Sequence, residues 1–179
     1  MEGLIRLDLG CGKNKAKGPD GQPYIGVDAI SFEGVDVVHD LRCAPWPWED
    51  NSIDEVFSSH FLEHLPGSDR IVFFNELHRV LKPGGKALII TPYWSHDCAY
   101  GDPTHAWPPI STWYVLYLNQ AWRGVNAPHV GYTCDFDWTT GFGMDEWLLS
   151  RNDEVRAFAM QHYTNSVRDL HATVTKRSA

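Results

Sequence analysis

No run of apolar residues in this chain approaches the roughly 20 needed to cross a bilayer as a helix, so a helical membrane span is excluded as an organising element. Basic residues are outnumbered: 15 Lys and Arg against 23 Asp and Glu leave a formal net charge of −8. Nucleic-acid affinity rests largely on Lys and Arg neutralising phosphates, so DNA and RNA are disfavoured as partners. Cysteine is sparse. Cys11, Cys43, Cys98 and Cys134 form no C-x-x-C pair, which removes the spacing of a structural zinc site. No secretory segment precedes the first apolar stretch, so reduced thiols and a cytoplasmic location are expected. Internal repeats and low-complexity tracts are missing as well. With 179 residues the chain has enough length for one domain with a full core, and residues 1–179 are read as that single domain.

Against these absences, Arg6 to Gly12 stands out as RLDLGCG, a short apolar strand running into a two-glycine turn. Asp8 lies in the middle of that strand, and a buried carboxylate is costly unless paired or hydrogen-bonded, which points to a ligand. Gly10 and Gly12 allow a sharp turn and a close approach to whatever binds. The following KNKAKGPDGQP has no helical period and reads as a loop. YIGVDAI, residues 24–30, reads as a second strand, and its Asp28 follows Gly10 by about the 20 residues at which nucleotide-binding βαβ units place an acid on ribose. VDVVHD ends a third strand at Asp40, after a link too short for a helical crossover.

A Pro- and Trp-rich loop, LRCAPWPWEDNS, leads to a fourth strand at Ile53–Ser58. Ile71, Phe74, Leu77 and Leu81 are at helical spacing, which predicts a helix with Ser68 as N-cap, ended by Pro83, Gly84 and Gly85. KALIITPYW has the continuous apolar character of a parallel strand covered on both faces. STWYVLYLNQAW predicts a helix, YTCDFDWTTGF a sixth strand, DEVRAFAMQHY a helix with Val155, Phe158, Ala159 and His162 along one side, and LHATVTK a last strand.

LDLGCG, GVDAI, VVHDL, PWEDNSIDEV, HFLEHL and ELHRVLKPGGKALIITP occur in one order over the first half of the chain. In them the sequence resembles the class I S-adenosylmethionine-dependent methyltransferases, small-molecule branch. The resemblance implies an α/β, Rossmann-like, mostly parallel seven-stranded sheet with helices on both faces, reduced on the side of the first crossovers. It implies S-adenosyl-L-methionine as cofactor. Asp8, Gly10, Cys11 and Gly12 match the loop that holds the methionine part, its ammonium on the acid and its carboxylate on backbone N–H groups. Asp28 matches the acid on the ribose hydroxyls, and Ile30 the apolar residue on adenine. Asp40 and the Leu41 backbone match the adenine amino acceptor and its neighbour, and Ser59 and His60 the position at the sulfonium end. The helix usual after the glycine loop and the covering N-terminal helices are missing here. A lid is therefore expected from the insertion at 94–125, and a second subunit, making a homodimer, on a sheet face left bare.

Direct in-line methyl transfer asks the protein to position the acceptor and to take a proton. Among nine histidines, His105 with Asp102 beside it ranks first as base or substrate contact, because the acceptor enters at the insertion; Asp-Pro-Thr is equally a good turn. His60 is read as touching cofactor. His96, Cys98, Asp102 and His105 match no zinc spacing, and no metal is expected. The residues exclude neither an NAD-dependent oxidoreductase, though Lys15 stands at the third glycine position of G-x-G-x-x-G, nor a non-catalytic SAM-binding subunit. A small-molecule, sugar or lipid-precursor acceptor is favoured. The acceptor atom is not legible.

Overall fold

The computed structural model describes residues 3–178. Its seven strands are β1 (Arg6–Leu9), β2 (Ile25–Asp28), β3 (Val37–Val38), β4 (Ile53–Ser59), β5 (Leu81–Pro92), β6 (Phe136–Gly143) and β7 (Asp169–Lys176). They form one sheet in the order β3-β2-β1-β4-β5-β7-β6. β7 is antiparallel to both β5 and β6 and the rest of the sheet is parallel, which is the α/β, Rossmann-like arrangement expected. No helix among the described residues is long and apolar enough to cross a membrane.

One sheet face carries the core. Leu7, Val56, Ala87 and Val174 are register partners in succession across β1, β4, β5 and β7, and all are buried. Helix α1 (Gly67–Val80) adds Phe73, Phe74, Leu77 and Val80 to the same cluster, each burial contributing about 1.5–3 kcal/mol. The opposite face differs from expectation. Arg6, Asp8, Glu55 and Lys86 share it, with Phe57 and Leu88 half-buried between them. From Lys86 to Ile90, β5 thus alternates buried positions with exposed or half-buried ones instead of being covered on both sides. The loop that replaces a helix after Gly12 covers this face by polar contacts: Asp8 Oδ2 accepts from Ala16 N at 2.8 Å, and Arg6 pairs with Asp20 at 2.6 Å and Lys15 with Asp36 at 2.6 Å. A bare apolar sheet face, the premise of the expected dimer, is not what this arrangement leaves.

Helix boundaries also shift for physical reasons. α1 starts on Pro66 rather than Ser68, because the ring presets φ at −57° and the Pro66 carbonyl receives both Asp69 N and Arg70 N. STWYVLYLNQAW is not one helix: a 3-10 segment, Thr112–Leu118, gives way at extended Asn119, whose side chain accepts from Trp122 N and starts α3 (Gln120–Asn126). Single turns form α2 (Cys98–Gly101), ahead of the 3-10 segment, and α4 (Glu146–Leu149), after β6. α5 (Asp153–His162) buries only Ala159 of its predicted inner side, and Val155 and Phe158 are exposed.

The last turn of α1 locks the Pro- and Trp-rich loop. Glu76 accepts from Trp46 N at 2.6 Å and from Arg79 at 2.7 and 2.9 Å, while Arg79 donates to the Trp46 and Trp48 carbonyls. Trp46 is buried, and its Nε1 donates to Leu41 O at 3.2 Å, so this network supports the turn after β3. Arg79 and the Trp46 N–H hold the Glu76 carboxyl below its ordinary 4.5. A depressed folded value stabilises above the unfolded one, and that stabilisation disappears as pH falls through the folded value. Glu76→Gln is therefore expected to cost about 1–3 kcal/mol at neutral pH in urea unfolding, and the difference from wild type should vanish in strong acid.

Candidate functional site

In open α/β sheets, ligands settle outside the carboxyl ends of the strands where the strand order reverses. Here that point lies between β1 and β4, and the loops leaving them meet. Gly10 and Gly12 have φ of +73° and +53°, the left-handed region that glycine adopts at no steric cost. A Cβ on Gly10 would lie 2.4 Å from the ring of Phe61, so the glycine loop and the residue following His60 are in contact.

The loop's N–H groups are not free for a carboxylate. Gly10 N and Cys11 N donate to Val27 O at 2.8 and 3.1 Å, and Gly12 N donates to Asp28 Oδ2 at 3.0 Å. The turn is thereby tightened onto β2, and Gly10 and Gly12 offer a ligand a surface without side chains. Asp8 is buried, and burial raises its pKa; the contact it makes is the tether to Ala16 on the polar face. The Cys11 thiol is buried and pushed up to about 11 by burial, which leaves it protonated and unreactive at neutral pH.

Asp28 is held at both oxygens, Oδ1 by Ile30 N and Oδ2 by Gly12 N, each at 3.0 Å. Each oxygen keeps a lone pair, so the carboxylate is aimed and still able to accept from two hydroxyls. A cleft of about 170 Å³ joins it to Asp40, Leu41, Arg42, Phe61 and His64. Asp40 accepts from Arg42 at 2.9 and 2.7 Å, and that guanidinium brings its carboxyl down to about 2. Ile30 is exposed and outside the lining of this cleft.

Ser59 ends β4, and His60 follows at φ +54°, with its N–H on Ile90 O at 2.9 Å. Its half-exposed ring stands between Glu63 (Nδ1 to Oε1, 3.4 Å) and Asp169 (Nε2 to Oδ1, 3.8 Å), and Glu63 raises its pKa. His105 and Asp102 do not make the hydrogen-bonded pair their spacing suggests. The gap from His105 Nε2 to Asp102 Oδ2 is 4.0 Å, because Asp102 Oδ1 is engaged by Thr104 N at 2.8 Å and Oγ1 at 2.7 Å, the turn chemistry of an Asp-Pro-Thr segment. His105 instead meets His64, their rings edge to face at 4.9 Å. His96 accepts from Cys98 N within its own turn.

The insertion walls a second cavity of about 500 Å³, lined by Leu62, Arg70, Phe74, Pro109, Trp113 and Tyr114 among others, with Arg70 donating to the carbonyls of Ala106 and Pro108. The turn Leu62–His64 contributes to both spaces, Leu62 to the larger and His64 to the smaller. Sequence reasoning missed Phe61 and Arg42 as site residues, and it reads Glu63 with His64, a candidate histidine, as a hydrogen-bonded pair that starts a helix. The signal was present in HFLEHL, an acid and an imidazole directly after a strand end at the switch point.

Residues 7–89 match a family model described as "Methyltransferase domain". Phosphoethanolamine N-methyltransferase 2 of Caenorhabditis elegans is 43% identical over 98 residues, taking in 48% of this chain and 22% of that protein. Demethylmenaquinone methyltransferase of Staphylococcus aureus is 33% identical over 108 residues, 50% of this chain and 43% of that protein. The chain thus spans less than half the length of these curated relatives. Among solved structures, a SAM-dependent methyltransferase from Archaeoglobus fulgidus superposes with a TM-score of 0.66 at 19% identity, over 97% of this chain and 87% of that one. Phosphoethanolamine N-methyltransferase 2 of Haemonchus contortus, in complex with S-adenosyl-L-methionine, does so at 0.52 and 17% identity, over 99% of this chain and 49% of that one.

Proposed function

We propose, from a chain that carries a methyltransferase domain over residues 7–89 and the class I, Rossmann-like methyltransferase fold, that it transfers a methyl group from S-adenosyl-L-methionine to a small-molecule acceptor by direct in-line displacement. The observation that carries this reading is the Asp28 carboxylate, fixed by Gly12 and Ile30 N–H groups at the sheet's switch point and opening on a cleft that ends at Asp40. Asp28 would hold the ribose, and Asp40, Leu41 and Ile30 the adenine. Gly10 and Gly12 would lie against the methionine part, with Ser59 and His60 at the sulfonium. With Asp102 drawn off by Thr104, the proton acceptor is His60 rather than His105. The domain is taken as a single unit in which 94–125 serve as lid, and the protein as cytoplasmic. An acceptor of small-molecule, sugar or lipid-precursor type suits the net charge of −8 better than nucleic acid does.

Calorimetric titration with SAM tests the cofactor, and tritium transfer from labelled SAM to a panel including phosphoethanolamine tests the reaction. Asp28→Asn keeps the shape and loses the charge, so SAM affinity is expected to fall about 10- to 100-fold. Binding of NAD with no heat from SAM would support the oxidoreductase instead, and firm SAM affinity without turnover on any acceptor the accessory-subunit reading. A homodimer is also proposed, with its support moved from the sheet face to exposed Trp147, Val155, Phe158 and Tyr163 on and beside α4 and α5. Light scattering at micromolar concentration should then report twice the chain mass.

A further inference from the structure

We propose that Glu63, His64 and His105 bind one divalent transition-metal ion of the zinc class, tying the insertion to the turn after β4. Glu63 and His64 are neighbours in the turn after β4, His105 comes from the insertion, and one ligand atom from each lies within 4.8 Å of the other two. Proximity alone is a weak argument, and two further observations make it a site.

The first is Glu63. Its carboxylate is 5% exposed, and neither oxygen has a hydrogen-bond partner. His60 Nδ1 stands 3.4 Å from Oε1 without hydrogen-bond geometry, and Arg70 spends its terminal nitrogens on the Ala106 and Pro108 carbonyls. With only the 3.4 Å approach of the His60 ring beside it, this buried carboxylate lacks the hydrogen bonds or coordination such groups ordinarily have.

The second is the proton count on the two rings. Thr104 has one hydroxyl proton, and the 2.7 Å contact to Asp102 Oδ1 takes it. Its oxygen, 3.0 Å from His64 Nδ1, must therefore accept, so His64 carries its proton on Nδ1. His105 Nδ1 is 3.2 Å from the Ala99 carbonyl, which can only accept, so His105 carries its proton on Nδ1 too. In the neutral form of each ring this leaves Nε2 as the nitrogen with a free lone pair. Metal-bound histidines are held in this way, the second nitrogen donating to a carbonyl or toward a carboxylate. Two imidazoles and one carboxylate are a donor set that zinc accepts, with a further position open to water or Asp102.

The test uses the untagged full chain, stripped by chelator and titrated with Co²⁺ while its visible ligand-field absorption is followed, then with Zn²⁺ as competitor. One Co²⁺ per chain is expected, displaced by one Zn²⁺. Glu63→Gln and His105→Ala should each weaken Co²⁺ binding at least about tenfold. Thr104→Val leaves all three ligands in place, removes the partner that sets the His64 tautomer together with the hydroxyl bond to Asp102, and should cost about 10-fold or more. Exposed His129→Ala should bind like wild type. Circular dichroism establishes that each variant is folded. No ligand-field band in the wild type, or equal binding in folded Glu63→Gln and His105→Ala, overturns the proposal. Neither SAM nor methyl transfer enters the readout, so the site and the methyltransferase reading fail separately.

Discussion

Gly10→Ala is expected to destabilise the protein by about 2–5 kcal/mol and to abolish SAM binding measurable by calorimetry. Two effects add. A side chain held in the left-handed region costs about 1–2 kcal/mol, and Gly10 has φ +73°. The new Cβ would also stand 2.4 Å from Cγ and Cδ2 of Phe61 and 2.6 Å from its Cβ, and overpacking of this kind costs about 1–3 kcal/mol. Phe61 cannot swing away freely, because its ring packs on buried Phe73 at 5.9 Å. For a domain of this size the loss corresponds to about 5–20 °C in Tm, read by thermal circular dichroism. Gly12→Ala separates the two effects: φ is +53°, but nothing lies within 4 Å of its Cβ position, so only the backbone cost of about 1–2 kcal/mol remains. Equal losses in the two variants would show that Phe61 does not close on the glycine loop.

The contrast between those glycines marks how far the sequence could be read. That both adopt positive φ follows from RLDLGCG itself, since a strand turning sharply into a ligand loop needs residues without Cβ. That only Gly10 faces an aromatic ring does not, because Phe61 is far away along the chain and arrives through the pairing of β1 with β4. The strands of the core were legible for a similar reason: each is a short apolar run bounded by turn residues. The second sheet face was not. Alternation of Lys86, Leu88 and Ile90 against Ala87 and Ile89 is hidden in a run as apolar as ALII, and it becomes visible only once a loop, not a helix, lies opposite β1.

At the site the split is sharper still. Asp28 is legible from its spacing to Gly10, that of a nucleotide-binding βαβ unit, and Asp40 only through the resemblance to the class I methyltransferases. Asp102 and His105 stand close together in GDPTH, which invites a hydrogen-bonded pair. Thr104, between them, decided otherwise: its hydroxyl and N–H hold Asp102, and His105 turns to His64, a residue from the opposite side of α1 in the chain.

On the proposed reading proton transfer falls to His60, and His60→Asn is then expected to lower kcat by about 100- to 10,000-fold, the usual range for loss of a general base. Asparagine is the informative replacement. His60 has φ +54°, which Asn tolerates better than most residues, so the backbone and its bond to Ile90 O can persist while the imidazole is lost. SAM affinity, supported by Asp28 and Asp40, should change by less than about threefold, so the loss appears in kcat and not in cofactor binding. His105→Asn serves as the comparison. Its ring is tied to Ala99 and His64, and if His60 takes the proton the His105 variant retains a larger kcat than the His60 variant. A His60→Asn enzyme with unaltered kcat would return the role of base to the insertion. A fall in kcat matched by an equal fall in SAM affinity would make His60 part of the cofactor's binding surface, with no hand in proton transfer.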